Sequence, residues 1–82
     1  MRKILIVDDK NIVRDLLTAT LKDKNFEILS ASTGCEAIEI ARKEKPSLMF
    51  LDIMMPEMDG FEVCETLKTD DNTKDIYIIV LT

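Results

Sequence analysis

Ile4-Leu5-Ile6-Val7-Asp8-Asp9 is a solid run of four apolar residues that ends on two carboxylates. A run this short, rich in β-branched side chains and apolar at every position, reads as a strand buried on both faces. The same pattern returns at Leu48-Met49-Phe50-Leu51-Asp52, again ending on an aspartate. Ile76-Tyr77-Ile78-Ile79-Val80-Leu81 is the strongest strand signal in the chain and runs up to Thr82. Phe26-Glu27-Ile28-Leu29 adds a short strand between the first two.

Helical spacing fills the gaps. Ile12, Val13, Leu16, Leu17 and Leu21 recur at helical intervals with charged residues between them, and Lys24-Asn25 ends the segment. Thr33-Gly34-Cys35-Glu36 fits a capping box, with Thr33 as N-cap and Glu36 three residues on. Ala37, Ile38, Ile40 and Ala41 continue that helix, and Pro46 stops it. Asp59-Gly60-Phe61-Glu62 is a second capped start, continued by Val63, Cys64 and Leu67. Lys68 to Asp75 is polar and turn-rich. The order is therefore βαβαβαβ, an α/β chain with a parallel sheet and right-handed crossovers.

Composition narrows the function classes. The chain has 82 residues, one domain at most, with 46% hydrophobic and 33% charged residues, which is globular. Its net charge of −5 argues against a long nucleic-acid footprint, so no direct nucleic-acid binding is expected. No apolar run approaches a membrane span, and the four apolar residues after Met1-Arg2-Lys3 are too few for a signal peptide. A cytoplasmic location and two free thiols, Cys35 and Cys64, are expected. The absence of histidine excludes His-based catalysis and His metal ligands.

In open parallel sheets, sites form outside the carboxyl ends of the strands. That points to Asp8 and Asp9, Ser30 to Thr33, Asp52 to Pro56, and Thr82. If the first and third strands are neighbours, Asp8, Asp9 and Asp52 converge. Three such charges repel unless a cation joins them or a carboxyl takes up a proton. A hard divalent ion such as Mg²⁺, held by two carboxylates and a loop carbonyl, answers that problem and leaves one carboxylate as a nucleophile. The plainer reading is helix capping, and Asp9 is a candidate cap for the first helix. A pair of adjacent acids is harder to explain that way, because a helix has one N-cap.

At these residues the chain closely resembles the receiver domain of bacterial two-component response regulators. The resemblance rests on Ile6-Val7-Asp8-Asp9, on Leu51-Asp52-Ile53-Met54-Met55-Pro56 with Met58-Asp59-Gly60, and on Ile79-Val80-Leu81-Thr82. It covers residues 1–82 as a single, partial receiver domain. It implies a flavodoxin-like doubly wound parallel sheet of strand order 2-1-3-4. Asp52 is implied as the phosphoacceptor, taking a phosphoryl group from a sensor histidine kinase or phosphotransfer protein. Asp9, Asp52 and the Met54 main-chain carbonyl are implied as Mg²⁺ ligands, with Asp8 acting through bound water, and Thr82 as the switch hydroxyl. Such a domain is a signalling phosphoacceptor rather than an enzyme.

The resemblance also implies a fourth helix, a fifth strand bearing a phosphate-binding Lys, and a fifth helix beyond residue 82. The chain is thus expected to be truncated after its fourth strand, with that strand an exposed edge that pairs in a homodimer. Two function classes follow. One is a phosphoacceptor domain. The other is an assembly module with an inert acidic site. An aspartyl phosphohydrolase is disfavoured, because such enzymes carry a second Asp where this chain has Met54. Lys10, directly after the acidic pair, is read as solvated but able to alter the site's charge. The methionines after Met49 are read as loop filling, both cysteines as packing residues, and Asp70-Asp71-Asn72 as an exposed loop.

Overall fold

The computed structural model describes residues 2–81. The elements are β1 Arg2–Val7, α1 Asn11–Leu21 with a 3-10 turn over Lys22–Lys24, β2 Phe26–Ala31, α2 Gly34–Glu44, β3 Leu48–Asp52, α3 Gly60–Lys68 and β4 Tyr77–Leu81. Four parallel strands form one sheet in the order β2-β1-β3-β4. The sheet and its order are those expected from the sequence and the resemblance.

The strands pair so that one pleat face is continuous. Leu5, Val7, Met49 and Leu51 are fully buried and join Ala37, Ile38, Ala41, Val63 and Leu67 in the main core. This core lies between the sheet and the helices α2 and α3. Met55 also belongs to it, so that methionine packs the core instead of filling loop space.

The opposite face is covered unevenly. Ile6 pairs with Phe50, and Phe50 with Ile79, so the three share that face. Ile6 is fully buried, Phe50 half-buried and Ile79 38% exposed. α1 contacts β1 and β2 and buries none of its own residues completely. Ile12 and Leu16 are 78% and 68% exposed, against the expectation of a buried apolar stripe. The helix sits over one half of the sheet, so only part of its apolar arc meets a partner among the described residues.

Local chemistry sets the element ends. Asn25 and Lys45 take left-handed backbone angles where the first two helical segments stop. Thr33 caps α2, its hydroxyl accepting from Glu36 N–H at 3.1 Å. The Glu36 carboxylate reaches past the cap to accept from Ser32 N–H at 2.7 Å, one residue earlier than a capping box requires. The box is complete at α3, where Asp59 and Glu62 exchange hydrogen bonds. Asp9 caps no helix among the described residues; the N-cap of α1 is Lys10, which contributes no side-chain bond.

Asp70 is more than an exposed loop residue. One carboxylate oxygen accepts from Asn72 N–H at 2.9 Å and the other from Arg42 Nε at 2.9 Å, tying the α3–β4 connection to α2. Thr73, fully buried, donates from its hydroxyl to Leu67 O at 2.7 Å in the same connection.

The Asn72 N–H, and next the Arg42 guanidinium, hold the Asp70 carboxyl below its ordinary range. Folding therefore favours its ionised form. That contribution is present above the ordinary carboxylate range and is lost as pH falls through the depressed value. Urea unfolding should find Asp70→Asn less stable than the parent at neutral pH. The difference should shrink on acidification below about pH 4, and a pH-independent difference would contradict this assignment.

Candidate functional site

The parallel register brings the acids together. Val7 pairs with Leu51, so Asp8 and Asp52, each next in sequence, stand at the same level at the carboxyl end of the sheet. One carboxylate oxygen from each of Asp8, Asp9 and Asp52 lies within 4.8 Å of the others. Three of the residues expected at the site are thus assembled by two neighbouring strands.

The two buried carboxylates are held in the same way. Asp8 Oδ1 accepts from the N–H of Lys10 at 2.8 Å, and Asp52 Oδ1 accepts from the N–H of Met54 at 3.2 Å. Each is an aspartate bonded to the main chain two residues on, the local geometry that turns a chain at the end of a strand. It orients the carboxylate plane and leaves the second oxygen free. Asp52 is only 7% exposed, and among the described residues no group donates a hydrogen bond to its buried Oδ2. A buried carboxylate oxygen without a donor is destabilising. This orphaned oxygen, in an all-oxygen donor set, fits a hard divalent cation.

Lys10 touches all three acids. Its N–H bonds Asp8, its Nζ lies 3.3 Å from Asp9 Oδ1, and the same Nζ lies 3.7 Å from Asp52 Oδ2. The hydrogen bond to Asp9, and then the charges of Asp9, Asp52 and Asp8, push the lysine above its ordinary range, so it stays protonated at neutral pH. The distance to Asp52 exceeds a hydrogen bond and leaves Oδ2 unsatisfied. Arg14, one turn into α1, donates to the Asp8 main-chain oxygen at 2.5 Å and fastens the helix to the strand end. Sequence reasoning misses Arg14. Its spacing, one turn past the acidic pair on the first helix, is the signal that could have marked it.

The loop after β3 forms the other wall. Asp8, Lys10, Val13, Asp52, Met54 and Leu81 line an open cleft of about 320 Å³. The Met54 side chain is exposed at its rim. Glu57 takes a left-handed backbone conformation with φ 68°, and the loop then folds back so that Gly60 N–H donates to Ile53 O at 2.9 Å. A Cβ on Gly60 would stand 2.7 Å from both Asp52 O and Ile53 Cα. α3 therefore starts directly against the backbone that carries Asp52.

The remaining expectations divide. Ser32 and Thr33 serve the start of α2, with no part in the carboxylate cluster. Thr82 lies outside the described residues. Cys64 is half-buried against the core, whereas Cys35 is exposed at the start of α2 and does not pack. No helix among the described residues is long and apolar enough to cross a membrane.

The sequence model of the family described as "Response regulator receiver domain" matches residues 4–82. A probable transcriptional regulator, ycf27, of Porphyra purpurea is 46% identical over 98% of this chain and 32% of its own length. The alkaline phosphatase synthesis transcriptional regulatory protein PhoP of Bacillus subtilis is 43% identical over 82% of this chain and 28% of its own. Among solved structures, the N-terminal domain of a response regulator receiver protein from Methanoculleus marisnigri superposes with a TM-score of 0.95. It is 38% identical, and the match covers 100% of this chain and 67% of that one. The chemotaxis protein CheY4 of Vibrio cholerae superposes at 0.91 with 32% identity, over 98% and 67% of the two chains. The chain spans about a third of the length of these curated relatives.

The Gly60 contact yields a stability test. Gly60→Ala should cost about 1–3 kcal/mol, because the clash is with main chain that has no rotamer to yield. Urea denaturation measures it. A neutral substitution would mean that α3 can withdraw from the Asp52 backbone.

Proposed function

The chain belongs to the response regulator receiver domain family, a signalling domain rather than a classical enzyme, and from that premise we propose that it accepts a phosphoryl group on Asp52. The observation that carries this reading is the unpartnered Asp52 oxygen beside two further carboxylates at the mouth of a cleft. Asp52 is the one acid in the cluster that is buried, oriented by a backbone N–H and left with a buried oxygen free of hydrogen bonds.

In the proposed transfer, an Asp52 oxygen forms a bond to the phosphorus of a phosphohistidine on a sensor kinase or phosphotransfer protein. The phosphorus–nitrogen bond breaks, and the electron pair stays on the departing imidazole. The product on this chain is an acyl phosphate. Met54 N–H holds the carboxylate plane, so the attacking oxygen needs little reorientation. Asp9, Asp52 and the Met54 carbonyl are the proposed direct ligands of Mg²⁺, with Asp8 acting through water. When bound, the cation neutralises charge on the carboxylates and on the phosphoryl oxygens. Thr82 is the proposed switch hydroxyl.

Incubation with acetyl phosphate and Mg²⁺, followed by intact-mass measurement and peptide mapping, tests the proposal. A phosphoryl adduct should form on Asp52 and be absent from Asp52→Asn. The rate should fall about 10- to 100-fold below that of a five-stranded receiver, because a charge-assisted contact from a further lysine is not made by residues 1–82. No adduct on a folded chain would favour the inert assembly module.

The edge that β4 presents among the described residues supports one further element of this reading, for residues 1–82 on their own. Among the described residues β4 pairs only with β3, and Tyr77, Ile79 and Val80 are exposed along a strand without charge. An uncharged, unpaired edge is a template for another strand. The proposed partner is β4 of a second copy, giving a two-fold dimer of this 82-residue chain. Sedimentation should show a concentration-dependent dimer that Ile79→Lys abolishes. A compact monomer at high micromolar concentration would overturn it.

A further inference from the structure

Lys10 is placed as no other side chain in the cluster is. It is anchored by its own N–H to Asp8, and its ammonium reaches toward Asp9 and Asp52 from the rim of the cleft. Its side chain is 60% exposed, while that of Asp52 is 10% exposed. With most of its side chain already in solvent, the lysine is free to swing away from the acids. The carboxylate cannot move with it, because Met54 N–H and the surrounding strands fix it.

We infer that Lys10 is a built-in, displaceable counter-cation that competes with the divalent ion for the Asp9 and Asp52 oxygens. The inference rests on the metal-site reading above and adds to it a residue that sets the site's affinity. The three carboxylates carry a formal −3, and the Lys10 ammonium reduces this to −2. Its Nζ bonds Asp9 Oδ1 at 3.3 Å and stands 3.7 Å from Asp52 Oδ2, so a divalent ion drawn to those oxygens displaces it. The resting site is thereby relieved of part of its self-repulsion, and the affinity for the divalent ion is lowered by the same contacts.

Arg14 does not share this role. Its guanidinium is engaged by the Asp8 carbonyl and the Asn11 side chain, and it makes no bond to a carboxylate of the cluster. Among the described residues Lys10 is therefore the cation that meets the site oxygens themselves.

Mg²⁺ titrations followed by amide shifts of residues 8–10 and 52–54 test the inference. Lys10→Met removes the charge and keeps the length, and Lys10→Arg keeps the charge. Lys10→Met should bind about 3- to 10-fold more tightly than the parent, the size expected for releasing one or two exposed ion pairs. Lys10→Arg should bind close to the parent. In the parent, the side-chain Cε–H signal of Lys10 should move with the same midpoint as the amides. Unchanged or weaker binding by Lys10→Met, with the parent responding locally, overturns the inference alone. Tightening by Met and Arg alike overturns it as well, because charge is then not the cause. No localised response in any of the three chains overturns the metal-site reading, and this inference falls with it.

Discussion

The pairing of Val7 with Leu51 is the constraint on which the site depends. Parallel strands in that register end together, so an acid placed after each one meets the other. Moving β3 by one residue against β1 would separate Asp52 from Asp8 and turn its side chain to the other face of the sheet. The register is protected by the core rather than by the site. Leu5, Val7, Met49 and Leu51 fill one face against α2 and α3, and a slip of β3 would take Met49 and Leu51 out of that core. The apolar contacts thus hold in place an arrangement of like charges that would otherwise fly apart.

Fixing the acids is then a matter of short-range hydrogen bonds. Asp8 and Asp52 use the same device, a carboxylate oxygen bonded to the N–H two residues later. Asp70 repeats it far from the site, where it serves only to shape a connection. The device itself carries no functional meaning. What distinguishes Asp52 is its surroundings: Asp70 engages Arg42 with its second oxygen, whereas Asp52 keeps its second oxygen buried and without a donor. Gly60 contributes from outside by letting α3 begin in contact with the backbone of Asp52 and Ile53.

Much of this is legible in the residues. Short, bounded apolar runs mark the strands, solid in β1, β3 and β4 and broken by Glu27 in β2, and the capping residues Thr33 and Asp59 mark the starts of α2 and α3. The cluster of Asp8, Asp9 and Asp52 follows from the strand ends once the first and third strands are neighbours, an order that the resemblance implies. Other features are not legible, for physical reasons. The exposure of Ile12 and Leu16 depends on which half of the sheet α1 covers, and helical periodicity reports an apolar stripe without reporting its partner. Glu36 bonds Ser32 rather than the cap residue, a choice of side-chain rotamer that spacing does not encode. Lys10 reads as a solvated charge because its neighbours in sequence are polar. Only the approach of β3 brings Asp52 within its reach.

The site divides into a fixed part and a mobile part. Asp8 and Asp52 are buried and tied to the main chain, whereas Asp9 and Lys10 stand at the surface with side chains free to rearrange. Binding chemistry needs both. A fully fixed site would have to be built around its ion and would release it slowly, and a fully mobile one would lose binding free energy to the ordering of side chains. Here the ordering is accomplished in folding for the buried pair, and only the exposed pair would have to rearrange for the proposed cation to enter. A cation bound to these oxygens also stabilises the folded chain by mass action, since the unfolded chain does not hold the three acids together. The cluster that the core restrains against its own repulsion is therefore the place where binding of the proposed cation would couple most directly to folding.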